Sequence, residues 1–205
     1  MYIHFIKKFL FIAVPKTGSR TIHDFLFNNI ENPDRERIWN KSDYHLPLKE
    51  ITKIYPIKGF YKFAFVRNPL DRLISTYLDF TKNTETHREF AQKFKNDFKN
   101  FDEFVLNFHD TEWAEEIHMR PATWYLENDK NEVDINFVGR YENFMEDFLS
   151  IINQLKINKK NEYFFPTLGK TIKDKKFEGY YSSQKLINKV KDFYHSDFVK
   201  FNYEQ

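Results

Sequence analysis

One pattern constrains this chain more than any other. An apolar run passes through a short polar stretch into an amphipathic helix, and the unit occurs twice. Residues 9–14 (FLFIAV) are continuously apolar and end at Pro15. Lys-Thr-Gly-Ser-Arg-Thr follows, and then Ile22, Phe25, Leu26, Asn29 and Ile30 fall on one helical face. Asn32-Pro33 stops that helix. Residues 60–66 (FYKFAFV) repeat the pattern, with Arg67 at the end of the run. Asn68 then suits an N-cap, Pro69 the first helical position, and Asp71 the positive end of the helix dipole. Leu70, Leu73, Ile74, Tyr77 and Leu78 form the apolar stripe.

A third strand is expected at Ile135–Gly139. It leads to a helix over about 142–155 that turns Phe144, Phe148, Ile151, Ile152 and Leu155 inward. A last helix starts at Ser182 or Ser183, with Leu186, Val190 and Phe193 as its face. The span between reads as helices over 85–98, 101–108 and 112–126, the last broken by Pro121. Strands that alternate with helices predict an α/β fold, with a mainly parallel central sheet flanked by helices. No repeat or Pro/Gly linker divides the 205 residues, so a single domain over 1–205 is expected. In such sheets ligands bind beyond the carboxyl ends of the strands. The two polar clusters, 15–21 and 67–75, stand there.

Composition narrows the function. With no cysteine, the chain has no disulfide framework, thiolate metal site or cysteine nucleophile, and it suits a reducing, cytoplasmic compartment. No other convincing metal-ligand set is present. The 32 Lys+Arg against 30 Asp+Glu give no whole-molecule attraction to nucleic acid, and no RNP- or KH-like pattern occurs. No apolar run approaches the roughly 20 residues of a membrane span. The balance hides segregation: residues 156–176 carry seven Lys, and 101–117 six acids with no Lys or Arg.

A helix that opens after a buried strand leaves its first N–H groups aimed at one spot, where the dipole favours an anion. At 15–21 the loop adds Lys16, Arg20 and the hydroxyls of Thr17, Ser19 and Thr21, and Gly18 lets the backbone approach a phosphate. It is not a Walker A loop, because Lys16 precedes the only Gly, so a compact phosphate ester suits it better than a magnesium-bound triphosphate. In the second cluster, Arg67 offers a forked donor and Ser75, about two turns into the helix, a hydroxyl.

Together the clusters resemble the sulfotransferase superfamily, whose members bind 3′-phosphoadenosine 5′-phosphosulfate (PAPS) on a P-loop-like α/β fold. FIAVPKTGSRT resembles the 5′-phosphosulfate loop of that family, and FAFVRNPLDRLISTY its 3′-phosphate motif. FVGRYENFMEDF and YHSDFVKFNY resemble further stretches of its carbohydrate branch, the uronyl or heparan 2-O type and bacterial relatives. The resemblance runs from residue 9 to 203, and Arg20 stands where many relatives have Ser, Thr or Gly. It implies Lys16, Thr17, Gly18, Ser19, Arg20 and Thr21 as contacts of the 5′-end, and Arg67 and Ser75 as ligands of the 3′-phosphate. GKTIKDKK (169–176) resembles, more loosely, the loop that closes over the nucleotide, with Lys170 and Lys173 as its candidates.

The implied reaction is in-line transfer of the sulfuryl group to a hydroxyl acceptor, a glycan or glycolipid, without a metal. The nucleotide PAP departs, and Lys16 meets the charge that builds on the bridging oxygen. The acceptor must lose a proton, so a general base is expected. A His in the connection after the first helix is the base in the uronyl 2-O branch. His45 holds that place here, with Asp43 and Glu142 as rivals, while His118 suits an acceptor contact or packing. An imidazole is basic near neutral pH. Two other classes stay open: a P-loop-like nucleotide kinase or NTPase, and a non-catalytic anion- or glycan-binding module.

Overall fold

The structure is a computed structural model and describes residues 1–31, 44–82, 88–157 and 179–204. The chain divides into two compact units, Met1–Arg67 with Ala122–Asp174, and Asn68–Pro121 with Lys175–Gln205.

The first unit carries the sheet. Its strands are β1 (Tyr2–His4), β2 (Phe9–Ile12), β3 (Tyr61–Val66) and β4 (Phe137–Arg140), in the spatial order β1-β2-β3-β4. β2, β3 and β4 are parallel, as expected for a mainly parallel sheet, and β1 pairs antiparallel to β2. β1 has only three residues, too few for a periodic signal; its pairing of Tyr2 with Phe11 and His4 with Phe9 defines it. All four residues of β2 are fully buried, which explains its unbroken apolar sequence.

Alternation along the strands sends Phe9, Phe11, Phe63 and Phe65 to one face. Two helices supply the residues that pack there. α1 (Ser19–Asn29) contributes Ile22, Phe25 and Leu26, and the later helix Phe144–Gln154 contributes Phe144, Phe148, Ile151 and Ile152. Rings stack, tilt or meet edge to face: Phe11 with Phe63 at 5.1 Å, Phe65 with Phe144 at 5.1 Å, and Phe25 with Phe148 at 5.1 Å, in that order. Such pairs add about 0.5–1.5 kcal/mol each beyond area burial. Gly139 on β4 makes room for this layer, because a Cβ there would lie 2.6 Å from the Phe65 ring. A short helix, α2 (Leu48–Ile54), also belongs to this unit.

The second unit is helical among the described residues. It contains α3 (Pro69–Phe80), α4 (Arg88–Asp97) and α5 (Phe101–Asn107). Asn68 caps α3 as its sequence predicts, its side chain accepting from the Leu70 N–H at 3.0 Å. Residues 112–126 do not form one broken helix. Glu112–Glu115 is a single 3₁₀ turn, and α6 (Ala122–Leu126) begins only after Pro121, in the first unit. Carbonyls of the intervening stretch are taken by side chains: Arg72 donates to those of His118 at 3.4 Å and Arg120 at 2.8 Å, and the Tyr194 hydroxyl to that of Met119 at 2.7 Å. Among the described residues the remaining α-helices, in chain order, are α7 (Phe144–Gln154) of the first unit, and α8 (Gln184–Phe193) and α9 (His195–Lys200) of the second. Among the described residues no helix is long and apolar enough to cross a membrane.

Candidate active site

Parallel strands end at one edge of the sheet. β2, β3 and β4 therefore deliver three loops there: the Lys16 loop, Arg67, and Tyr141 with the residues after it. The register Val66 opposite Arg140 makes Arg67 and Tyr141 the next residues on neighbouring strands.

The Lys16 loop turns through two positive φ angles, +65° at Lys16 and +80° at Gly18. The second needs glycine twice over, since a Cβ there would also lie 2.5 Å from the Phe144 ring. The first is borne by a lysine, and non-glycine residues in that region concentrate at binding sites. The turn starts α1 at Ser19, three residues before its apolar stripe, so Ser19, Arg20 and Thr21 form the first helical turn. Their N–H groups precede the first intrahelical bond, from the Ile22 N–H to the Gly18 carbonyl at 3.3 Å. No acidic residue lies in that turn to compete for the site.

The predicted loop residues separate by role. Thr17 is fully buried, and its hydroxyl donates to the Val14 carbonyl at 2.9 Å, closing the loop on itself. Ser19 is buried beside the Tyr44 phenol, Thr21 is half-buried, and Arg20 is exposed. Lys16 is half-buried, and its carbonyl accepts from Arg67 Nη1 at 3.4 Å. Arg67 thus touches the Lys16 loop directly. Arg67 is only 9 % exposed, and its guanidinium lies over the Tyr141 ring, 4.3 Å from the centroid. Ser75 is half-buried on α3 in the second unit.

His45 joins the site through the backbone. Its Nδ1 lies 2.6 Å from the Ala13 carbonyl, one residue past β2. A carbonyl oxygen only accepts, so Nδ1 carries the proton and the basic lone pair is on Nε2. The Tyr44 ring meets the imidazole edge-on at 4.6 Å. Burial pushes the Tyr44 phenol up to about 12, so it stays a neutral hydroxyl at ordinary pH. Glu142 is exposed in the turn after β4. Asp43, Lys170 and Lys173 lie outside the described residues. No group of three or more His, Cys, Asp or Glu able to hold a metal occurs among the described residues.

A sulfotransferase family profile matches residues 4–204. The chain belongs to that family. Carbohydrate sulfotransferase 11 of rat and of mouse are each 27 % identical to it over 170 residues. That stretch covers 72 % of this chain and 48 % of each relative, so the chain spans about half the length of the curated relatives it matches. No solved structure matches it. The family has a P-loop-like fold, in keeping with the strand-loop-helix unit at Lys16.

Two features of the site leave little trace in the sequence. Tyr141 is the platform under Arg67, and its signal was its place, first after the third parallel strand. The Ala13 carbonyl as the partner of His45 had no signal, because backbone acceptors leave none.

Proposed function

We propose that this sulfotransferase moves the sulfuryl group of PAPS to a hydroxyl of a carbohydrate, with His45 as general base. The observation that carries the reading is the convergence, at one sheet edge, of an anion-suited helix start, the Arg67 guanidinium and a tautomerically fixed imidazole. The carbohydrate acceptor is inferred from the rat and mouse relatives, which are carbohydrate sulfotransferases.

The donor set fits PAPS. It offers N–H groups at the start of α1 with Lys16 for the 5′-end, and a forked, nearly buried guanidinium for the 3′-phosphate. When bound, PAPS supplies an activated sulfuryl group with PAP as its leaving nucleotide. His45 Nε2 takes the proton of the acceptor hydroxyl, worth about 10²–10⁴ in rate for a positioned base. The resulting imidazolium is held through Nδ1–H by the Ala13 carbonyl. With PAPS bound, Lys16 and the N–H groups of Ser19 and Arg20 would offset the charge that develops on the departing nucleotide. Such donors act by preorganisation, and losing one costs roughly 10²–10³ in rate.

The test is transfer of labelled sulfate from PAPS to a panel of glycans and phenols, beside His45→Ala. The expected result is transfer to a glycan, lost by about 10²–10⁴ in the variant while PAP still binds. Unchanged turnover removes His45 as base. PAP binding without transfer to any acceptor leaves an anion-binding module in place of the enzyme. Stabilisation by Mg-ATP in preference to PAP leaves a nucleotide kinase or NTPase.

A further inference from the structure

We infer that Tyr141 is a positioning residue that sets the enzyme's preference for a nucleotide carrying a 3′-phosphate. The inference rests on the reading of Arg67 as the 3′-phosphate ligand. An arginine at a strand end has a long side chain with many rotamers, and an anion selects only one of them. Here two contacts make that selection in advance. The Lys16 carbonyl accepts from Nη1 at 3.4 Å, and the Tyr141 ring faces the guanidinium at 4.3 Å. One contact fixes an edge of the fork and the other its plane.

Tyr141 is itself held. It follows β4 directly, lies in the 3₁₀ turn Tyr141–Asn143, and packs on the buried aromatic layer with its ring 6.1 Å from that of Phe144. The turn is tied down as well, since Asp147 accepts from the Arg140 N–H at 2.6 Å and from the Asn143 side chain at 3.1 Å. The ring's π face attracts the cation, and Arg67 itself is nearly buried, which strengthens such a contact. The stretch 137–148 thereby acquires a task at the site: its strand end carries the surface that aims the anion ligand.

The readout is selectivity: the ratio of affinities for PAP and AMP, measured by calorimetry on the full chain. AMP lacks only the 3′-phosphate, so a general loss of structure lowers both affinities and leaves their ratio in place. Arg67→Ala is expected to abolish most of the PAP preference. Tyr141→Leu, which keeps apolar volume but removes the π face, is expected to lower the ratio about fivefold. Tyr141→Phe, which keeps the face, is expected to stay within twofold of the parent. Tyr141→Met serves the same purpose if the leucine variant folds poorly. A ratio unchanged in Tyr141→Leu and Tyr141→Met, while Arg67→Ala loses it, overturns the inference and leaves the Arg67 reading standing. A ratio unchanged in Arg67→Ala overturns both.

Discussion

Gly18 shows at the scale of one residue why the loop has so little freedom. Its φ of +80° and the Phe144 ring 2.5 Å from the site of a Cβ are separate obstacles to any side chain. Phe144 cannot retreat easily, being 1 % exposed and packed on Phe65 and Phe148. Gly18→Ala combines a left-handed alanine with an overpacked ring, and is expected to lose roughly 2–4 kcal/mol of stability in urea denaturation. A loss under about 1 kcal/mol would show that the ring gives way. The sequence made Gly18 legible as a close-approach residue, but Phe144 is too distant along the chain for any local pattern to name it. Thr17 shows the opposite limit. A hydroxyl beside a phosphate loop reads as a ligand, yet here it closes the loop on Val14. Only the fold decides which of several neighbouring hydroxyls is turned inward.

At the scale of elements, the second unit depends on one buried side chain. Arg72 is 1 % exposed, donates to the carbonyls of His118 and Arg120, and lies 3.8 Å from the carboxylate of Asp197, itself 1 % exposed. Tyr194 completes the cluster, its ring 5.0 Å from the guanidinium and its hydroxyl on Met119. The guanidinium therefore joins α3 to the stretch before Pro121 and to α9. Arg72→Met removes the donors and leaves the Asp197 charge buried without that guanidinium, an expected loss of about 3–5 kcal/mol in chemical denaturation. The double variant Arg72→Met with Asp197→Leu is expected to recover part of the loss, since it removes both charges. No recovery would assign the cost to the two carbonyl contacts instead. This cluster also explains what periodicity could not reach. β2 and β3 were legible as apolar runs, and α1, α3, α7 and α8 because each buries its own regular stripe. Residues 112–120 read as helix but are not one α-helix, because the carbonyls of His118, Met119 and Arg120 are taken by side chains from other elements, which no periodicity within the segment encodes. β1 and α2 were missed for a simpler reason, being too short to show a period.

For the whole molecule, near-neutral charge at pH 7 conceals a buried group that makes stability depend on pH. His23 on α1 is 3 % exposed, among the rings of Tyr2, Phe27 and Tyr44. Burial, with the Met1 amino group adding to it, lowers its pKa from 6.5 to about 4. The folded chain thus keeps His23 neutral where the unfolded chain would protonate it. Between about pH 6.5 and about 4 the unfolded state binds the extra proton, so stability falls as pH falls through that window. The full effect, reached below the folded pKa, is on the order of 3 kcal/mol. Above pH 6.5 the group is neutral in both states and contributes no slope. Other groups titrate in the same range, so the contribution of His23 is read by difference. His23→Phe keeps an aromatic ring in the pocket and cannot take a proton. Urea denaturation of both proteins at several pH values from 7.5 to 4.5 is expected to show a shallower fall for the variant. Parallel curves would mean that the buried imidazole is protonated as readily as a solvated one, and that water reaches it inside the fold.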